Sequence, residues 1–491
     1  GDAARTGAPA AMSAISSAVV EAIRTGYDGW AEVHTVTPEP RSVDPVPTAS
    51  TPGPDITDSD PSTALFTDQY EYTMLSAALA DGSAHIPCSF EVFARRLPNG
   101  RRYGVVAGTA RFIEALTRFR FGPDELDTLG SFLDGSTLEW LRKYRFSGDI
   151  DGYREGDLYF PGSPVLSVRG TFAECVILET LALSILNHDS AIASAAARMS
   201  SSAGSRPIIE MGSRRTHEEA AVASSRAAYI AGFSATSNLE AVRRHGLPGA
   251  GTSAHAFTLL YTGADGPNEK AAFAAQIRAL GVSTTLLVDT YDISAGVANA
   301  IEVAGPDLGG VRIDSGDLGV LAGQVRRQLD DLGATKTKIV VSGDLDEYAI
   351  AALRAEPVDS YGVGTSLVTG SGAPTAGMVY KLVTVDGRPV AKRSDHKQTR
   401  GGAKAALRAT RATGTAVEEV VYPLGSPPPI DDDLVGTPLT VPYVREGHVV
   451  DGLPALADSR ALLRSRLVSL PWEGLKLSNG DPAIPTRFVD A

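Results

Sequence analysis

Four short segments carry residue types whose spacing suits the capture of an anion. Val311-Arg312-Ile313-Asp314-Ser315-Gly316-Asp317 closes an apolar run. If that run is a strand, side chains alternate with a period of two, so Arg312 and Asp314 project to the same side. Ser315 and Gly316 then open the next helix, whose first N–H groups favour negative charge. Such a set can hold a sugar phosphate, with Arg312 keeping Asp314 ionised; it can equally be an internal ion pair that closes a loop. Val341-Ser342-Gly343-Asp344 and Tyr361-Gly362-Val363-Gly364-Thr365-Ser366 place glycines where a backbone must approach a ligand closely, and they offer runs of N–H groups suited to phosphate. Taken singly, each glycine is explained as well by a turn. Glu210-Met211-Gly212-Ser213-Arg214-Arg215 sets two guanidiniums after a strand end, a pattern suited to bidentate capture of carboxylate or phosphate, although solvation at the surface accounts for one of the two. Of eight histidines, His255 stands apart, between the Gly-rich turn at Gly251-Thr252 and the apolar run from Ala256. Its imidazole can be a general base, an anion contact, a phosphoryl acceptor or a structural side chain.

These residues need elements that bring them to one place. From Ile208 onward, β-branched apolar runs end repeatedly in Asp, Gly or Ser and are followed by amphipathic helical patterns. Strands are expected at Thr284 to Asp289, Gly310 to Asp314, Lys338 to Gly343 and Val358 to Gly362, with helices such as Gly319 to Leu332 and Leu345 to Ala355 between them. Continuous apolar strands are covered on both faces, so the sheet is parallel and built from βα repeats. A barrel would put its chemistry at the carboxyl ends of these strands. An open doubly wound sheet gives much the same pattern.

The flanking sequence differs. Residues 61–170 and 377–450 read as mixed α and β, with a helix from about Gln69 stopped by Asp81-Gly82 and helices expected over Ala110 to Arg120 and Pro123 to Tyr144. Phe172 to Asn187 reads as a buried apolar helix at the start of the 171–376 barrel region. A last helix, Leu456 to Leu470, in the 451–491 segment places Arg460, Arg464 and Arg466 on a solvated face. Between Thr35 and Pro61 lie seven prolines mixed with Thr, Ser and Asp. Such a stretch lacks backbone donors and cannot bury enough apolar surface to offset ordering entropy, so residues 1–60 are expected to be a disordered extension.

Composition excludes several functions. With 491 residues, 43% of them hydrophobic, the chain builds more than one core. Its 58 acidic residues exceed its 45 basic ones by 13, which argues against a broad nucleic-acid surface. The only cysteines, Cys88 and Cys175, form no metal-binding or disulfide pattern and suit a reducing compartment. No segment approaches the roughly 18 consecutive apolar residues of a membrane span, and the first residues lack the pattern of a secretory signal. A cytoplasmic protein is expected.

In sequence order, Thr67-Asp68-Gln69-Tyr70-Glu71-Tyr72-Thr73-Met74, Phe90-Glu91 with Gly104 to Gly108, Glu210 to Arg215, Gly251 to His255, Arg312 to Asp317, Ser342-Gly343-Asp344, Gly362 to Ser366, and Tyr380-Lys381-Leu382 with Lys392-Arg393-Ser394 resemble the nicotinate phosphoribosyltransferase family. The resemblance covers about residues 63 to 470. It implies an irregular (β/α) barrel of the type II phosphoribosyltransferase kind, with a β-rich domain formed from N- and C-terminal segments. It also implies transfer of the phosphoribosyl group of phosphoribosyl pyrophosphate to nicotinate in NAD salvage, coupled to hydrolysis of ATP, with Mg²⁺ bound mainly through substrate phosphates.

Carried over by position, His255 resembles the family histidine that ATP phosphorylates. Arg214 and Arg312 resemble the cations that meet the nicotinate carboxylate and the phosphates. Asp314 resembles the carboxylate that orients ribose hydroxyls or Mg²⁺. Gly343, Asp344, Gly364 and Thr365 match loop positions around the 5′-phosphate, and Thr252 and Ser237 fall in matched substrate-binding segments. Tyr70 resembles the aromatic ring that stacks on the pyridine from a neighbouring subunit, which implies a homodimer with shared sites. Related enzymes often read Gly-Thr before the serine; here Ala235 stands in the glycine's place and adds a methyl group. Transfer to nicotinamide or quinolinate, and a non-catalytic nucleotide-binding barrel, remain as alternatives.

Overall fold

The apolar runs of the central sequence pair into one six-stranded sheet in the computed structural model, which describes residues 60–392 and 400–489. The expected disordered extension up to residue 59, and residues 393–394 of the matched Lys392-Arg393-Ser394 segment, lie outside the described residues. In spatial order the strands are Thr285–Leu287, Gly310–Ile313, Lys338–Ser342, Ser360–Val363, Ile208–Glu210 and Ala235–Thr236. All neighbours run parallel, with Arg312 beside Val340, Val341 beside Tyr361, and Val363 beside Glu210. The last strand in sequence thus pairs with the first. That is the cyclic order a barrel requires, whereas a doubly wound sheet reverses its order in the middle. Thr236 makes one further parallel bridge to Gly249. Among the described residues, no strand pairing links this end to Thr285–Leu287.

The sequence explains why these strands sit inside. Leu286, Val288, Val311, Ile313, Ile339, Val341, Tyr361 and Val363, in register on one face, are all buried, and Leu287 and Val340 on the other face are buried too, so both faces find cover. The helices between them begin on polar residues that accept hydrogen bonds from the first free N–H groups: Asn238 before Leu239–His245, Asp292 before Ile293–Ala304, Asp317 before Leu318–Asp331 and Asp346 before Glu347–Leu353. Some strand-end carboxylates are therefore caps, not ligands.

The chain divides into two compact units, one comprising Ala195–Gly372 and the other formed by the described residues to Ser194 together with those from Ala373. The second unit is antiparallel. Its seven-stranded sheet runs Arg388–Pro389, Met378–Val385, Pro87–Ala94, Leu166–Thr171, Asp149–Tyr153, Thr440–Arg445, His448–Val449. Early and late segments interleave, with Phe90 opposite Leu382 and Ile150 opposite Val444. Phe90 stacks on Tyr380 with ring centroids 4.9 Å apart. A four-stranded sheet of Leu434–Pro438, Lys404–Arg411, Ala416–Pro423 and Thr486–Phe488 belongs to the same unit.

Several local expectations change. Pro123 to Tyr144 is two helices, Pro123–Leu129 and Gly135–Lys143, because Asp134 turns its carboxylate onto the Ser136 and Thr137 N–H groups and starts a new helix. The apolar helix expected to end at Asn187 is the pair Phe172–Val176 and Glu179–Ala203. The unit boundary falls inside the second helix, later than the expected 170/171, since the Ser190 and Ser194 hydroxyls accept from the Ala107 and Val105 amides and tie the helix's first half to the antiparallel unit. The helical stretch Phe172–Ala203 is long and apolar enough to cross a membrane by length and composition, but 67% of its most apolar window is buried inside the protein. Arg466, expected on a solvated face, instead pairs with the fully buried Asp157 at 2.5 Å.

One ion pair lies in the interior of the antiparallel unit. Arg408 and Glu419 are 1% and 0% exposed, and their Nη2–Oε2 separation is 2.5 Å. The Tyr153 hydroxyl donates to Glu419 Oε1 at 2.7 Å, and Arg408 Nη2 also donates to the Leu158 carbonyl at 2.8 Å. Removing one partner leaves a charge in a low dielectric, which costs about 3–5 kcal/mol, whereas replacing both with apolar residues of similar volume is far less costly. Glu419→Leu is expected to lower the urea midpoint severely, and Arg408→Met combined with Glu419→Leu to recover most of the loss. Additive losses in the double variant would show that the charges do not depend on each other.

Candidate active site

Because the central strands are parallel, the residues just beyond each of them meet along one edge. Arg312 lies in the Gly310–Ile313 strand, Asp314 one residue past its end, and Ser342 at the end of the neighbouring strand. Arg312 Nε donates to Ser342 Oγ at 2.8 Å and its Nη2 to Asp314 Oδ1 at 2.7 Å; the Ser342 hydroxyl donates to the same Oδ1. The guanidinium and carboxylate do share one side of the strand, and a hydroxyl from the next strand locks them. Burial pushes the Asp314 carboxyl upward, but the hydrogen bonds from Ser342 and Arg312 and the charges of Arg312 and His255 outweigh it and hold its pKa below the ordinary value. Asp314 is therefore an anion at neutral pH.

Asp289 connects this cluster to His255. Its Oδ2 accepts from the Asp314 amide at 2.8 Å and from Ser315 Oγ at 2.7 Å. Its Oδ1 is buried, accepts no hydrogen bond, and faces His255 Nε2 at 3.9 Å. On the other side of the ring, Nδ1 lies 3.2 Å from Thr290 Oγ1. His255 opens the short helix His255–Leu260, and its side chain is 40% exposed.

The remaining strand ends are close-packed. Gly343 has φ +111°, and a Cβ there would come within 2.4 Å of the Asp314 carbonyl, so only glycine lets this turn pass its neighbour. Asp344 follows with φ +44°, a conformation unusual for a residue with a side chain. A Cβ on Gly362 would meet Met211 Sδ at 2.7 Å and Ser342 Cβ at 3.0 Å, which places the Ser342, Gly362 and Met211 positions side by side. Gly364 lies against the Met211 carbonyl and precedes the turn Thr365–Val368. Arg214 is exposed in the turn Ser213–Arg215 and has no ion-pair partner among the described residues; Ser237 and Thr252 are also exposed.

The structure thus groups His255, Arg312, Asp314, Gly343, Asp344, Gly364, Thr365, Arg214 and Ser237 on the loops of one parallel sheet. Tyr70 belongs to the other unit, where it is 46% exposed on the helix Gln69–Asp81. Burial and then the carboxylates of Glu179, Glu71 and Asp68 push its hydroxyl upward. Reading the sequence passed over three residues: Asp289, the Ser342 hydroxyl and the Glu210 carboxylate. Asp289 carried the same signal as Asp314, a carboxylate closing an apolar run. Lacking a neighbouring guanidinium in sequence, it did not stand out.

A parallel βα sheet that gathers cations, anions and glycine turns on its carboxyl edge defines an α/β enzyme that handles phosphorylated substrates. Two adjoining family models match the chain: the nicotinate phosphoribosyltransferase N-terminal domain over residues 65–187 and the nicotinate phosphoribosyltransferase family over residues 207–415. The chain belongs to the nicotinate phosphoribosyltransferase family. It is 66% identical over 437 residues to nicotinate phosphoribosyltransferase pncB1 of Mycobacterium tuberculosis, covering 88% of this chain and 97% of that one. The crystal structure of human nicotinic acid phosphoribosyltransferase superposes with a TM-score of 0.75 at 28% identity, over 86% of this chain and 97% of that one. The fold is also that of nicotinate-nucleotide pyrophosphorylase from Pyrococcus furiosus, with a TM-score of 0.69 at 24% identity over 84% and 95% of the two chains.

The depressed Asp314 pKa has a consequence for stability. A carboxylate whose folded pKa lies below its unfolded value contributes stability above the unfolded value, near 3.9, and loses it as pH falls through the folded one. Ser342→Ala removes a donor to Asp314, so it should destabilise by about 1–2 kcal/mol at neutral pH and by much less once Asp314 is protonated. Urea melts stepped from pH 7 down through the acid range measure both; a loss that stays constant throughout would reject the link to Asp314.

Proposed function

We propose that this enzyme transfers the phosphoribosyl group of phosphoribosyl pyrophosphate to the ring nitrogen of nicotinate, releasing nicotinate mononucleotide and pyrophosphate in NAD salvage. The observation that carries the reading is the locked Arg312–Ser342–Asp314 set beside the Gly343 and Gly364 turns, in a chain of this family. Breaking the ribose–pyrophosphate bond builds positive charge at the ribose beside a leaving polyanion, so catalysis consists of positioning and electrostatic stabilisation. The Asp314 carboxylate faces the developing cation or the ribose hydroxyls, and Arg312 and the loop N–H groups of Gly343, Asp344, Gly364 and Thr365 face phosphate oxygens. Arg214, Ser237 and Thr252 contact the acceptor or its partner substrate. The pyridine nitrogen is unprotonated near neutral pH and needs no base.

His255 has another task in this scheme. Set between Thr290 and Asp289 and 40% exposed, it accepts a phosphoryl group from ATP, and hydrolysis of that group drives product formation. Mg²⁺, when bound, would be held mainly by the substrate phosphates, with Asp314 as one protein carboxylate that could reach it, and would neutralise the charge of pyrophosphate. The finer fold reading is the irregular type II phosphoribosyltransferase barrel, supported by the pairing of the last strand with the first. A cytoplasmic homodimer in which Tyr70 stacks on the pyridine bound by the neighbouring subunit completes the proposal. The neighbouring guanidiniums of Arg214 and Arg215 favour an acidic ring over nicotinamide, and quinolinate's second carboxylate would call for further cations.

Purified protein incubated with phosphoribosyl pyrophosphate, Mg²⁺ and nicotinate, nicotinamide or quinolinate, with and without ATP, should form nicotinate mononucleotide and little else. Failure to form nicotinate mononucleotide from nicotinate would sink the reading; product from nicotinamide or quinolinate instead would assign the transfer to that ring, and no product from any of the three would leave a non-catalytic nucleotide-binding barrel. His255→Ala should abolish both ATP stimulation and acid-labile phosphate labelling while thermal unfolding stays near normal; undiminished labelling would exclude His255 as the phosphoryl acceptor.

A further inference from the structure

We propose that Glu210 is a positioning residue for the acceptor end of the site: its buried carboxylate fixes the two turns that carry Arg214 and Ser237, and so sets the preference for an acidic ring. The inference rests on the function proposed above and adds a determinant of its specificity.

Glu210 ends the Ile208–Glu210 strand and is 1% exposed. Among the described residues, no Lys, Arg or His lies within ion-pair distance of it. Its partners are neutral donors: Oε1 accepts from the Gly212 amide, and Oε2 accepts from Thr236 Oγ1 at 2.5 Å and Ser225 Oγ at 2.9 Å. A buried carboxylate without a counter-charge is tolerated only when its lone pairs are filled in this way. Each of those bonds constrains one of two turns. The Gly212 amide begins the Ser213–Arg215 turn. Thr236 ends the adjacent strand, its Oγ1 accepts from the Asn238 amide at 3.0 Å, and the Ser237 amide donates to the Glu210 carbonyl at 2.9 Å. Asn238 Nδ2 then closes the ring by donating to Ser213 Oγ at 2.9 Å.

The packing leaves no second path for the first turn. A Cβ at Gly212 would lie 2.3 Å from Val368 Cγ1 and 2.9 Å from Glu210 Oε1. Arg214 and Ser237 are themselves exposed and make no side-chain contacts that would hold them among the described residues. Their positions are inherited from the backbone, and the backbone is held by Glu210. The Arg312–Asp314 cluster does not share these bonds, and Gly212 meets the Gly364–Val368 turn only through packing, so loosening Glu210 should raise the acceptor KM more than that of the phosphoribosyl donor.

Steady-state kinetics of the full chain test this. Thr236→Val removes the hydroxyl between Glu210 and Asn238 at nearly constant volume; Thr236→Ser keeps it; Glu210→Gln exchanges an acceptor for a donor. Thr236→Val and Glu210→Gln should raise the KM for nicotinate on the order of ten- to a hundredfold and narrow the preference for nicotinate over nicotinamide. The KM for phosphoribosyl pyrophosphate and kcat should stay within about twofold, and Thr236→Ser should resemble the parent. Should Glu210→Gln fail to fold, the valine and serine variants decide. Equal rises in both KM values, a fall in kcat alone, unchanged kinetics, or a serine variant as impaired as the valine one would each overturn the positioning role while leaving the function intact. A parent enzyme that makes no nicotinate mononucleotide would overturn the function and this inference with it.

Discussion

The Arg312–Asp314 ion pair, locked by a hydroxyl from the next strand, is the interaction on which the strand-end site depends. Two charges taken partly out of water need both mutual contact and hydrogen bonds to be stable, and Ser342 supplies the remaining bond. The lock also sets the register of function. Arg312 lies beside Val340 in the parallel ladder, and the next step brings Ile313 beside Val341, so the residues just beyond, Asp314 and Ser342, fall opposite each other. A slip of one residue would turn every side chain to the opposite face and dissolve the pair.

An excess of 13 negative charges sits uneasily with ligands that are all anions. The conflict is settled by distance. At an ionic strength of about 0.1 M, exposed charges more than roughly 10 Å apart are largely screened, so the net charge governs solubility and long-range encounter more than it governs binding. Inside the site, the short-range terms are guanidiniums, helix-start N–H groups and glycine turns that bring the backbone to the ligand. The same logic explains why Asp317, Asp292 and Asp346 do not spoil an anion site: their carboxylates are already occupied by the first N–H groups of their helices.

What the sequence reveals is what is periodic or contiguous. The parallel strands were legible because each is an apolar run ending in a polar residue, and the Arg312–Asp314 pair because period two places both on one side. The strand order was not legible, since spacing along the chain does not distinguish a cyclic order from a reversed one. The Lys404–Arg411 and Leu434–Pro438 strands also escaped, because the charged or polar residues within them blur the alternation. The buried Arg408 is the extreme case: its partner Glu419 lies on the neighbouring strand, and only register brings them together. Residues 235–237 illustrate the same limit from the other side, as Thr236 looks like an ordinary strand residue until its hydroxyl is seen between Glu210 and Asn238.

Three strand-end carboxylates then divide into three environments. Glu210 is 1% exposed among neutral donors, with no Lys, Arg or His within ion-pair distance among the described residues; such a group can order a backbone but is closed to a substrate. Asp314 is paired with a guanidinium and retains 26% side-chain exposure, so its charge is both stabilised and accessible. Asp289 spends one oxygen on the Asp314 turn and leaves the other facing the His255 ring at 3.9 Å, beyond hydrogen-bonding distance. A buried acceptor left unfilled costs about 1–3 kcal/mol, and that cost is relieved by any movement of the ring that brings Nε2 to it. The His255 ring, 40% exposed, sits on a helix of only six residues. Asp289 therefore lies between the His255 ring and the turn that carries Asp314, with one oxygen committed to that turn and the other open to the ring.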